Sequence, residues 1–155
     1  MSGTLSSFAI PAAFPLVGLS LVATATLTFW QGLLVSAARK EAGVHYPNLY
    51  ATDAEAKADK KKLVYNCTQR AHANTLENVT TIVTLTIFLG LYHPKVAAAS
   101  NFIWVVGRVL YTLGYKTGDP ATRNKTGGPF GYIGLLTLFF GTIYTAGTKA
   151  YHLYV

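Results

Sequence analysis

The stretch Tyr65-Asn66-Cys67-Thr68-Gln69-Arg70-Ala71-His72-Ala73-Asn74-Thr75-Leu76-Glu77-Asn78 decides how the rest of the chain is read. It is densely polar, yet it runs without a turn signal into an apolar segment, residues 79–91, and no Gly or Pro interrupts residues 63–89. The two halves therefore read as one helix. Helical spacing puts Arg70, Asn74 and Glu77 (i, i+4, i+7) on one face and turns His72 about 200° away from Arg70, at about 100° per residue. A cation, an amide and a carboxylate in one stripe, next to membrane-like sequence, need a partner.

The rest of the chain supplies the membrane. Hydrophobic residues make up 51% of the 155 and charged residues 12%, about half the charge of an average soluble protein. No charge occurs in residues 1–38, 78–94 or 126–148. A helix needs about 20 apolar residues to cross the hydrocarbon core, and residues 14–38 and 126–148 satisfy this. Residues 79–91 are too short unless part of the polar stretch before them also sits at membrane depth, shielded by protein. Residues 96–115 are long enough but contain Arg108, which lipid cannot solvate and which must face the interior or a wet cavity. The expectation is an all-α, integral membrane four-helix bundle of up-down topology. It forms a single domain over residues 1–155, with helices at about 12–39, 63–92, 95–116 and 129–151 and a polar interior near one membrane face.

The connections follow from local signals. The N-terminus lacks the basic residues of a cleaved signal peptide, so the first span is expected to stay, with Pro11 and Pro15 suited to its start. Gly43 breaks the first helix after Arg39-Lys40-Glu41, and Tyr46-Pro47 is expected to continue as extended chain. The longest connection, residues 41–62, holds Lys57, Lys60, Lys61 and Lys62 with Asp53, Glu55 and Asp59. It reads as a solvated segment with Thr52 or Asp53 as a helix cap; contact with anionic headgroups is the alternative. Pro94 opens a tight reversal. The third helix carries Trp104, Arg108, Tyr111 and Tyr115 in one stripe. Gly118-Asp119-Pro120 makes a turn, and Gly131, Gly134, Gly141 and Gly147 permit close approach of the fourth helix.

Topology can be read from the charges. All Lys and Arg except Lys95 and Lys149, eleven of the thirteen, lie on the side of the first and third connections. The positive-inside rule places those loops in the cytosol and both termini opposite. The net charge of +7 thus reports membrane topology, not nucleic acid. In this orientation the N-x-Thr patterns at Asn66, Asn78 and Asn124 carry no glycan. One cysteine, Cys67, excludes an internal disulfide. No zinc pattern, P-loop, dinucleotide motif or G-x-S-x-G occurs, so no metal is expected.

Arg70, Asn74, Glu77, Arg108, Tyr111 and Tyr115, with Arg39 and Arg123 at the mouth, allow two readings. One is an internal polar network in which Arg70 and Glu77 simply pair. The other is a site for a small zwitterionic, mostly anionic ligand. Arginines clamp carboxylates, Glu accepts an ammonium, and Asn and Tyr recognise amides. Glutathione needs that mixture, and an arginine near its thiol favours the nucleophilic thiolate.

The chain resembles the family of membrane-associated proteins in eicosanoid and glutathione metabolism (MAPEG), nearest to its microsomal glutathione S-transferase type 3 branch. The resemblance rests on A-R-K…V-x-Y-P at 38–47, N-C-T-Q-R-A-H-A-N-T-L-E at 66–77, Y-H-P at 92–94 and V-G-R-V-L-Y-x-x-G-Y at 106–115 followed by T-G-D-P. It implies a homotrimer with glutathione, a co-substrate, bound between neighbours near the cytosolic side. Arg70, Asn74, Glu77, Tyr111 and Tyr115 match glutathione-contacting positions of one subunit, and Arg39 and His72 match positions of the adjacent one. Arg123 matches the thiolate-stabilising arginine, and Lys40 stands where leukotriene C synthase has an arginine at the lipid substrate. Asn78 and His72 depart from the tyrosine and glutamine of that synthase, and the turn before Arg123 is one residue longer. The expected activity is glutathione transfer to a lipophilic electrophile together with glutathione-dependent reduction of a lipid hydroperoxide. Leukotriene C synthase-like conjugation of an epoxide fatty acid and a non-catalytic lipid-binding scaffold are the alternatives. The implied location is the endoplasmic reticulum membrane, or else the mitochondrial outer membrane.

Overall fold

A computed structural model describes residues 9–155; the first eight residues of the expected domain lie outside the described ones. Among these the chain is helical throughout, with no strand. Helix α1 (Pro15–Ala42) starts at a proline, whose missing N–H costs nothing in the first turn. Arg39 and Lys40 lie in its last turn, favourably placed for the helix dipole. Gly43 ends it in the left-handed conformation, φ 61°.

The long connection differs from expectation. Tyr46-Pro47 is not extended: it sits in a turn where Asn48 N donates to His45 O at 3.1 Å. A separate short helix, α2 (Asp53–Ala58), follows, because Thr52 and Glu55 form a reciprocal capping box. Asp59 then caps α3 (Lys60–Gly90) by accepting from Lys61 N at 2.8 Å. One capping residue was expected in this connection, and Thr52 and Asp59 divide the work. The connection is tied to α3 by Asn66, which exchanges two 2.9 Å bonds with the Ala51 backbone, and by Tyr65 donating to Leu49 O at 2.7 Å.

A three-residue reversal leads to α4 (Pro94–Tyr115), again opened by a proline. Past the Gly118-Asp119-Pro120 turn lies a further short helix, α5 (Thr122–Lys125). It was unforeseen because four residues carry no periodicity. A 3-10 turn, Gly128–Phe130, leads into α6 (Gly131–Tyr151).

Contacts fix the order of the long helices. Gln31 meets Thr75 while Val17 faces Gly90, so α1 and α3 run opposite ways. Thr24 meets Asn101 and Gln31 meets Thr112, so α1 and α4 run the same way. Gly107 faces Gly131, and Gly134 faces Ser100 and Trp104, so α4 and α6 are opposed. A Cβ on Gly107 or Gly134 would collide with the facing backbone; Gly147, expected to play the same part, has open space around it. Helix α4 packs on α1, α3 and α6, whereas the backbones of α1 and α6 do not approach each other closely.

Among the described residues three helices are long and apolar enough to cross a membrane: α1 and α4, with mean hydropathy 1.4 in their best windows, and the segment Gly128–Tyr151, at 1.3. Helix α3 is longer, but its polar first half keeps it below that mark. The surface is inverted relative to a soluble protein. Phe29 (69% exposed) and Ile143 (54%) point outward, while Ser20, Thr75 and Asn101 are fully buried. Water would oppose this arrangement; hydrocarbon favours it, since buried polar groups can bond one another there. An apolar core of Val17, Leu27, Ile82, Leu89, Trp104 and Leu138 fills the span. A smaller cluster of Val35, Val44, Ala51 and Tyr65 lies under the first connection.

Candidate functional site

On α3, Arg70 pairs with Glu77 through Nη1–Oε1 at 2.7 Å and Nη2–Oε2 at 3.4 Å, and Asn74 Nδ2 donates to Glu77 Oε2 at 3.3 Å. The stripe predicted from spacing is thus one connected group. It is open to the outside, with the side chains of Arg70 and Glu77 44% and 54% exposed. So exposed a pair contributes little to stability, and a ligand carboxylate can replace it at small cost.

Across the gap on α4, Arg108 donates from Nε (3.1 Å) and Nη2 (3.0 Å) to Thr75 Oγ1, and from Nη2 to Ala71 O (3.4 Å). The half-buried cation therefore braces α3 against α4. Its guanidinium carbon lies 4.0 Å from the centre of the Tyr111 ring. Tyr111 and Tyr115 meet edge to face with centroids 5.5 Å apart, and the Arg123 guanidinium is 5.2 Å from the Tyr115 ring. Cation, ring, ring and cation form a ladder climbing from the helix interface to the polar end of the bundle. Each cation–ring step is favourable by about 0.5–1 kcal/mol or more.

Arg123 is held in place by backbone. It donates to Pro120 O within its own turn. Below it, Gly114 and Gly128 leave no room for a Cβ: one would strike Thr122 O and the Arg123 backbone, the other Arg123 O. The absence of two side chains lets the arginine-bearing turn lie flat on α4. Beside it, the Asp119 carboxyl is held below its usual range, first by a hydrogen bond from Thr122 and then by one from Ala121 N.

Two hollows flank the ladder. One of about 550 Å³ is lined by Arg70 and Tyr115 with Tyr50, Asn66 and Cys67. The other, about 240 Å³, is lined by Asn74 and Arg108 with Asn78, Trp104 and Tyr132. Arg70 and Tyr115 thus line one hollow and Asn74 and Arg108 the other, while Glu77 and Tyr111 line neither of the two.

Arg39, Lys40 and His72 stand apart from this group. Arg39 donates to Val44 O (3.3 Å) and Asn48 O (2.7 Å), with its guanidinium 4.3 Å from the Tyr46 ring and 4.9 Å from the Tyr65 ring. Arg39 and Lys40 line their own hollow of about 370 Å³ with His45 and Tyr46. His72 faces α1, where Nδ1 lies 3.4 Å from Gln31 Oε1. Within the chain these three do not reach the ladder.

Sequence reasoning missed what Gln31 holds. Gln31 Nε2 donates to Thr75 Oγ1 (2.9 Å) and Thr112 Oγ1 (2.7 Å), joining α1, α3 and α4 beside Arg108. The available signal was a hydroxyl or amide in each of three neighbouring helices near the one mid-span cation. No group of three or more His, Cys, Asp or Glu able to hold a metal occurs among the described residues.

A model of the MAPEG family matches residues 17–144, a span that includes both arms of this site and the turn carrying Arg123.

Proposed function

The chain belongs to the MAPEG family, and from that premise we propose that it is a membrane-bound glutathione transferase that also reduces lipid hydroperoxides with glutathione. The observation that carries the reading is the Arg108–Tyr111–Tyr115–Arg123 ladder beside the Arg70–Asn74–Glu77 group. Three guanidiniums and one carboxylate complement a thiolate tripeptide with two carboxylates and one ammonium. Arg70 and Arg108 take the carboxylates, Glu77 the ammonium, and Asn74 an amide. Arg123, half-buried at the top of the ladder, stabilises the thiolate by charge. Arg39, His72 and Lys40 complete the site from a neighbouring subunit of a homotrimer. That division accounts for His72 facing α1, away from Arg70.

In transfer, the thiolate sulfur attacks an electrophilic carbon and the leaving group departs, or an epoxide oxygen opens and takes a proton. In reduction, the sulfur attacks the peroxide oxygen, the O–O bond breaks and the lipid alcohol leaves with a proton. The glutathione sulfenic acid then condenses with a second glutathione, releasing water and the disulfide. Both routes need the same thiolate. The lipophilic substrate arrives from membrane lipid. The first and third connections, beside Arg39 and around Arg123, face the cytosol, with the endoplasmic reticulum as the membrane.

The test is turnover by the purified protein with glutathione and, in parallel, a lipid hydroperoxide, a haloarene and an epoxide fatty acid. Turnover of the first two supports the proposal. Turnover of the epoxide alone moves it to leukotriene C synthase-like conjugation. A second reading, the non-catalytic scaffold, is favoured by one observation: Arg70, Glu77 and Arg123 already have partners within the chain. It predicts no turnover with any of the three.

A further inference from the structure

Gln31 is 1% exposed, and which end of its amide faces which neighbour is decided by counting protons. Thr112 Oγ1 lies 2.7 Å from Arg108 O. Two oxygens that close repel unless a proton lies between them, so the hydroxyl hydrogen points to the carbonyl. Thr75 Oγ1 lies 3.1 Å from Ala71 O and receives Arg108 Nε and Nη2; a guanidinium can only donate. With its hydrogen on Arg108 O, Thr112 Oγ1 has only a lone pair for Gln31, and the amide NH₂ answers it at 2.7 Å, with Thr75 Oγ1 2.9 Å from the same nitrogen. Oε1 is left facing His72 Nδ1 at 3.4 Å. An oxygen acceptor there requires the proton on Nδ1. Nε2 has no hydrogen-bond partner among the described residues.

We propose that Gln31 is a positioning residue that fixes His72 as the Nδ1–H tautomer, so that Nε2 is offered as a bare acceptor to an N–H of the ligand. The choice matters for recognition. The opposite tautomer would offer a proton and suit a carboxylate, the task the arginines already perform. The ligand half of this inference rests on the glutathione reading above, since that tripeptide carries two amide N–H groups and an ammonium. The tautomer half does not.

The test is nitrogen NMR of ¹⁵N-histidine-labelled full-length protein in detergent micelles, at a pH where the imidazole is neutral, with His72 assigned by its loss in His72→Ala. The expected spectrum shows His72 Nδ1 protonated and Nε2 bare. Gln31→Met abolishes that preference and weakens glutathione binding by about fivefold, the loss of one hydrogen bond. In the His72→Ala background Gln31→Met adds no further loss, because Gln31 acts through the imidazole. A wild-type His72 protonated on Nε2 overturns the proposal, as does a Gln31→Met penalty that persists undiminished without His72. If Gln31→Met does not fold, the wild-type spectrum alone still decides. If the protein proves not to use glutathione, the tautomer stands or falls separately.

Discussion

Two buried polar layers cross this bundle, and they are built differently. In one, Asn101 lies between Thr24 (3.1 Å) and Ser20 (3.2 Å), and the two hydroxyls also reach carbonyls of their own helix. It is neutral, fully enclosed and joins only α1 and α4. In the other, Gln31, Thr75 and Thr112 join three helices, hold a cation and touch an imidazole that is not fully buried. The first layer is a lock. The second transmits position to groups at the edge of a hollow. A buried polar cluster in a membrane helix thus has two uses, and what separates them is whether a charge leads out of it.

The largest expected effect tests the outer end of that route. Arg123→Ala should lower kcat by about 10²–10³-fold, the usual consequence of removing a donor at developing charge. The thermal midpoint in detergent should fall only slightly, since the arginine holds only its own turn and one ring, a contact of about 0.5–1 kcal/mol. Next comes Thr75→Val, which strips Arg108 and Gln31 of a shared acceptor. It should cost about 1–3 kcal/mol of stability and weaken glutathione binding as well, read by thermal unfolding and calorimetry. Asn101→Leu, the matching change in the lock, should cost only about 0.6 kcal/mol, with turnover unchanged, because Ser20 and Thr24 keep their carbonyl partners. Equal losses from Thr75→Val and Asn101→Leu in both measurements would erase the distinction between the layers.

The smallest effect lies outside both. Glu55, at the start of α2, has its carboxyl lowered to about 2, first by Lys62 and then by the Thr52 N–H and hydroxyl. A carboxylate depressed in the fold stabilises it above the ordinary value of 4.5 and loses that contribution as pH falls toward about 2. Amide exchange over residues 53–58 should therefore quicken through that window. In Glu55→Gln it should be quick at every pH, with no change in turnover at neutral pH.

Much of the working layer's surface could be read from spacing alone. Arg70, Asn74 and Glu77 fall at helical intervals and bond one another; Arg108, Tyr111 and Tyr115 do the same and stack. Charge and aromatic rings leave a mark in a sequence when they recur on one helical face. Thr75 and Thr112 leave none, since a threonine in an apolar span is as often a filler bonded to its own helix. Their role depends on three helices meeting at one level, which is tertiary information. The short helix α5 was hidden for a different reason: its four residues lie below the length at which a period can be seen, whereas the start of α2 was marked by its Thr52 cap. Lys40 and His72 were grouped with the ladder by resemblance and Arg39 by its place at the mouth, and the fold of the chain does not join them to it.

The glycine seat beneath Arg123 has an evolutionary consequence. A position occupied by the smallest residue usually tolerates drift toward alanine, a change that disturbs no charge and would pass unnoticed in an inventory of reactive side chains. At Gly114 or Gly128 that same change lifts the whole turn as a rigid body and carries the guanidinium away from its ring. Selection on this arginine is therefore spread over three codons, two of which encode no functional group at all.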